Sequence, residues 1–118
     1  MNLDKIKIFA KDMRRNIIFT AYKAGSKSAH IGGALSVTDI IAVLYSDIMN
    51  IKKKKYLDDD RDRFILSKGH ACLALYSALV VKKILKKKDL ITFECNGSKL
   101  LGHPIINKKD GIEFSTGS

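Results

Sequence analysis

Three histidines stand in three separate loops of this chain, each beside or close to a glycine. They are His30 in Ser28-Ala29-His30-Ile31-Gly32-Gly33, His70 in Ser67-Lys68-Gly69-His70-Ala71, and His103 in Gly102-His103-Pro104. Imidazole is the side chain that gives or takes a proton near neutral pH. Glycine lets a backbone approach a ligand closely. Three such loops, each entering or leaving a regular element, predict the rim of one site assembled from distant parts of the chain. The second loop adds a binding geometry. Arg63-Phe64-Ile65-Leu66-Ser67 reads as a short strand, Lys68-Gly69 as a turn, and a helix is expected to begin at His70. The free N–H groups of a first helical turn, at the positive end of its dipole, favour an anion such as a phosphate.

Other candidate chemistry is weaker. Cys72 and Cys95 are too few for a disulfide framework. Cys72 falls on the apolar face of the expected helix and reads as a small buried hydrophobe. His70, Cys72, Cys95 and His103 match no zinc-ligand spacing, so no metal ligand is assigned to this chain.

The elements that must hold the histidines follow from periodicity. Ile6, Phe9, Met13, Ile17, Phe19 and Tyr22 recur at helical spacing, predicting a helix over Leu3 to Lys23 that Gly25 ends. A loop from Ser26 to Leu35 carries His30. Ser36-Val37-Thr38-Asp39 offers an N-cap serine for a second helix to about Met49, with Ile40, Ile41, Leu44, Tyr45 and Ile48 as its apolar stripe. Lys52 to Asp60 reads as an exposed connection. Three consecutive apolar residues at Phe64, Ile65 and Leu66 suit a strand covered on both faces, as in a parallel sheet. The third helix is expected from His70 to Leu85, a short one over Asp89 to Cys95, a turn at Asn96-Gly97-Ser98, and a further strand beginning at Ile112-Glu113-Phe114. The fold class expected is therefore α/β.

The chain has 118 residues, 46% hydrophobic and 29% charged, which describes one ordinary globular domain rather than a disordered segment. Its net charge of +10 comes mostly from lysine, as at Lys52 to Lys55 and Lys82, Lys83, Lys86, Lys87 and Lys88. That excess can serve phosphate, nucleic acid or an acidic surface, or simply be a solvated face. The lysine runs lack the arginines and stacking aromatics of nucleic-acid sites, so neither nucleic acid nor a membrane is expected as a partner. The first residues lack the apolar core of a signal peptide. The longest mostly apolar stretch reads as Ala71 to Val81, too short for a bilayer, so a cytoplasmic protein is expected.

Taken together, the loops resemble the N-terminal, thiamine diphosphate-binding part of transketolase. The matching stretches are Ser28-Ala29-His30-Ile31-Gly32-Gly33-Ala34-Leu35-Ser36, Asp60-Arg61-Asp62-Arg63-Phe64-Ile65-Leu66-Ser67-Lys68-Gly69-His70-Ala71, Leu101-Gly102-His103-Pro104 and Phe114-Ser115-Thr116-Gly117-Ser118. Their order and separations fit, and residues 1–118 are covered almost throughout. The related deoxyxylulose-phosphate synthases share the first loop but differ around the second histidine. The family's first loop usually reads Gly-His-Pro-Gly, whereas Ala29 and Ile31 flank His30 here.

The resemblance implies a parallel sheet with flanking helices, present here only in its N-terminal portion. It implies transfer of a two-carbon ketol unit between sugar phosphates, in carbohydrate metabolism of the pentose phosphate kind, with thiamine diphosphate as cofactor. It makes His30 and His103 catalytic and substrate-binding, and sets His70 with the backbone at Gly117 and Ser118 against the cofactor. The Mg2+ ligands are expected outside this chain, which stops within a family motif. The isolated chain is accordingly expected to be inactive, and to need the remainder of the fold or a companion chain, in an enzyme that is a homo-oligomer when complete. The alternative is a non-catalytic relic or interaction module docking on a fuller relative.

Overall fold

The computed structural model describes residues 1–25, 29–52 and 58–117. Helix α1 spans Leu3–Ala24, capped by the Asn2 side chain, which accepts from the Lys5 N–H at 3.1 Å. Its Ile6, Phe9, Met13 and Ile17 are buried at the expected spacing, and Gly25 stops it with a φ of +61° that a glycine adopts freely. Tyr22 departs from expectation: it is 78% exposed and takes no part in the core.

Helix α2 spans Ile31–Val43 and continues into a π-helical turn over Leu44–Ile48. It starts well before the Ser36 N-cap that the sequence predicts. His30 is the N-cap, and Ser36 lies within the helix, its hydroxyl donating to the Gly33 carbonyl at 3.0 Å. The glycines that read as loop are helical, because the buried face is set by Ala34, Thr38, Ile41 and Ala42 further on. Ile40 and Ile48, placed on the apolar stripe from sequence, face solvent. Residues Ile31–Ile48 are long and apolar enough, by length and composition, to cross a membrane, so Ala71 to Val81 is not the longest such stretch. They pack instead against α1 and the third helix.

A 3-10 turn over Gly69–Ala71 leads into α3, Cys72–Val81. Residues Cys72 to Leu79 are all buried. A helix apolar on every side belongs in the middle of a core, and α1, α2 and α3 pack on one another pairwise. The helix ends before the expected Leu85, where Lys83 takes a positive φ of 64°. A short helix, α4, follows at Lys87–Leu90, and a 3-10 turn at Lys108–Asp110.

Among the described residues no strand forms. Within residues 63–67 only Leu66 is buried, Phe64 is half-buried and Ile65 is 60% exposed, so one face is covered rather than two. A strand needs a neighbour to exchange a ladder with. Here the flanks make isolated bonds, Asp62 N–H to the Asn50 carbonyl and Gly117 N–H to the Ser67 carbonyl, both 2.9 Å. The strand expected at Ile112 is a lone antiparallel bridge to Asn107. The sheet of the expected α/β class is therefore not seen in these residues. Part of the connection over Lys52 to Asp60 lies outside the described residues.

What fixes the C-terminal segment is an ion pair. Arg61 grips Glu113 through both carboxylate oxygens, Nη2 to Oε2 at 2.9 Å, and the two side chains are only 6% and 8% exposed. Arginine's planar fork matches a carboxylate in this way. The pair ties the approach to the second histidine loop to residues 112–117.

Candidate functional site

The two helix starts meet at their histidines. His30 caps α2 without a side-chain capping bond of its own, and the turn into α3, which contains His70, is likewise uncapped by Lys68. The His30 and His70 rings meet edge to face with centroids 4.4 Å apart, and His103 adds a third ring 5.2 Å from His70. The three imidazoles therefore form one contiguous group with His70 at its centre, and all three are exposed. The convergence expected from sequence is present, and two helix N-termini contribute to it.

Gly69 is where the loops cross. It is buried, and a Cβ there would press on the Gly117 carbonyl and lie 2.9 Å from both His103 Cδ2 and Thr116 Oγ1. Only a residue without a side chain lets the His70 turn, the His103 loop and the 116–117 segment approach so closely. The segment is latched from both sides: Thr116 N–H donates to the Pro104 carbonyl at 3.0 Å, and Gly117 N–H to that of Ser67. Gly117 thus borders the histidine group, whereas Ser118 lies outside the described residues.

The His103 loop is held peptide by peptide. The Leu100 carbonyl accepts from the Glu94 N–H at 3.0 Å, the Leu101 carbonyl from the Tyr76 hydroxyl, and the Gly102 carbonyl from the Cys72 thiol at 3.2 Å. The Gly102 N–H donates to the Glu94 carboxylate. Burial, helped by the Glu94 charge, pushes the Cys72 thiol up to about 12, so it stays a protonated donor rather than a nucleophile. Burial raises the Tyr76 hydroxyl above its usual range too. Cys72 is thus buried as expected, with a role in holding the loop that its apolar surroundings do not announce.

His30, Cys72, Phe93, Glu94, Gly102 and His103 line a cleft of about 70 Å³. Enclosed sites for cofactor-sized ligands run to roughly 300–1,000 Å³, so this cleft takes one end of a ligand at most. Glu94 gives no signal in sequence, because what brings it to the cleft is a left-handed backbone, φ +59°, at a position without glycine or asparagine. Among the described residues no group of three or more His, Cys, Asp or Glu side chains is arranged to hold a metal ion.

Comparison with known proteins gives the arrangement a context. The family model described as transketolase, thiamine diphosphate binding domain, matches residues 9–118. The chain is 37% identical over 118 residues to one of the apulose-4-phosphate transketolase subunits of Phocaeicola vulgatus, covering all of this chain and 41% of that protein. It is 38% identical over 119 residues to the transketolase of Streptococcus pyogenes, covering 99% of this chain and 16% of the relative. Among solved structures, transketolase from Leishmania mexicana superposes with a TM-score of 0.82 at 29% identity, over 95% of this chain and 17% of that one. The chain thus spans less than half the length of these relatives.

Proposed function

Because this chain belongs to the transketolase family, in the part that carries the thiamine diphosphate-binding domain, we propose that it supplies one portion of a ketol-transfer site. In this reading residues 1–118 are an N-terminal part of the diphosphate-binding domain. The observation that carries the proposal is the contiguous His30–His70–His103 group at two uncapped helix starts.

The residues present fit a diphosphate. Helix N-termini and imidazoles are donors suited to anionic oxygens, and a Cβ built at Gly32, in the first turn of α2, meets nothing within 4 Å, so a ligand can approach that backbone. The net charge of +10 adds a favourable field. When bound, thiamine diphosphate supplies the electron sink for breaking and remaking a carbon–carbon bond beside a carbonyl. His70, central in the group, would hold the diphosphate as a donor to one of its oxygens, and the backbone at Gly117 and Ser118 is assigned to the cofactor. His30 and His103 bind the sugar and act as general acids and bases, holding and returning hydroxyl protons at their ring nitrogens. No magnesium ligand is assigned to this chain.

The small cleft supports a shared site, completed by the remainder of the fold or by a companion chain. The complete enzyme is read as a cytoplasmic homo-oligomer acting on sugar phosphates. Calorimetric titration with thiamine diphosphate and Mg2+ tests the cofactor assignment. Saturable binding is expected, weakened at least tenfold by His70→Ala, and equal binding by that variant removes His70 from the site. Incubation of the chain alone with the cofactor, Mg2+, xylulose 5-phosphate and ribose 5-phosphate is expected to give no sustained transfer. Steady turnover there would overturn the shared-site reading.

A further inference from the structure

The three imidazoles are not held alike. His30 and His70 are placed by helix starts, whereas His103 sits on an irregular loop whose position depends on other side chains. Of the residues that hold this loop, Glu94 grips it twice. Its own N–H donates to the Leu100 carbonyl, and its carboxylate accepts from the Gly102 N–H, the peptide immediately before His103. Gly102 is shaped to receive it: a Cβ there would lie 2.9 Å from Glu94 Oε1 and 3.1 Å from Cδ.

The backbone at Glu94 is unusual as well. A φ of +59° is left-handed, a region where a residue with a Cβ is disfavoured and glycine is at ease. Unfavourable backbone of this kind persists where surrounding contacts over-determine it, and it gathers at functional sites. The compensation visible here is the pair of bonds to the loop, which glycine at 94 could match only by half. The neighbouring Phe93 is buried and anchors the turn, so the carboxylate is delivered to the loop by a fixed base.

We infer that Glu94 is the positioning residue of His103: by clamping Leu100 and Gly102 it sets the His103 ring against His70. The functional weight of this inference rests on the reading of the histidine group as a ligand site, but the positioning itself does not. The test uses the whole chain and variants Glu94→Gln, Glu94→Ala and Glu94→Gly, each confirmed folded by circular dichroism. Imidazole ring signals of His30, His70 and His103 are followed by NMR, and xylulose 5-phosphate binding by the shifts it induces.

The alanine variant is expected to move the His103 ring signals while leaving those of His30 in place, with Gln restoring the native pattern through its amide oxygen. Binding of xylulose 5-phosphate is expected to weaken at least fivefold in the alanine variant and to recover with Gln. Glycine keeps the left-handed backbone and loses the carboxylate. If Glu94 serves only the stability of the turn, glycine preserves the His103 signals, and the inference falls. If positioning is its role, glycine moves them as alanine does. Unchanged His103 signals in both variants overturn the proposal. Displaced signals in a chain that binds no sugar phosphate or cofactor leave the clamp standing and overturn the ligand-site reading instead.

Discussion

A Cβ at position 69 would press on the Gly117 carbonyl and crowd His103 Cδ2 and Thr116 Oγ1 together. The Gly117 carbonyl is backbone and cannot swing aside as a side chain can, so relief requires the loops to separate. Overpacking of this kind costs about 1–3 kcal/mol. Gly69→Ala is therefore expected to lower stability in urea unfolding by that measure and to move the His103 ring signals; an unchanged midpoint would show the crossing to be looser than described. At this scale the histidines are legible in the sequence, since residue type and glycine neighbours announce both the chemistry and the close approach. Glu94 is not. Its left-handed turn is imposed by bonds to residues 100 and 102, and no local residue choice records it.

Among the helices, α2 gives the clearest contrast. Gly32 lies in its first turn, without positive φ, and with open space where a Cβ would stand. Glycine weakens a helix by roughly 0.5–1 kcal/mol relative to alanine, so Gly32→Ala is expected to raise stability by about 0.5 kcal/mol in urea unfolding. A fall would show that something crowds position 32 in solution. The start of α2 is hidden in the sequence because the paired glycines look like loop and Ser36 like a cap, whereas the helix is set by the burial of Ala34, Thr38 and Ile41. Helix α1 is legible because its apolar positions keep one face and Gly25 closes it. The strand expected at 63–67 rests on a short apolar run, a pattern that does not by itself specify an element, and a strand exists only with a partner beside it.

For the molecule as a whole, the buried acids set an alkaline limit. Burial raises the Cys72 thiol to about 12 and lifts the Tyr45 and Tyr76 hydroxyls above their ordinary 10. An acid that holds its proton more tightly when folded contributes fully below its unfolded value, near 9 for the thiol, and loses that contribution as pH rises toward the folded value. Each such group removes about 1.4 kcal/mol per pH unit within its window. Lys82, whose burial favours the neutral amine, offsets part of this below its ordinary 10.5. Urea unfolding at pH values of about 8, 10 and 11 is expected to show stability falling above about pH 9, with Cys72→Ala flattening the first part of the fall. A flat profile would place the thiol in water.

The crossing at Gly69 also bears on how the chain matures. The stretches that meet there lie far apart along the sequence, while each helix closes on near neighbours. Long-range closures are entropically expensive and come late in folding. A chain with its helices formed but this closure unmade would lack the His103 edge of the imidazole group, so that ligand capture doubles as a report that the closure has taken place.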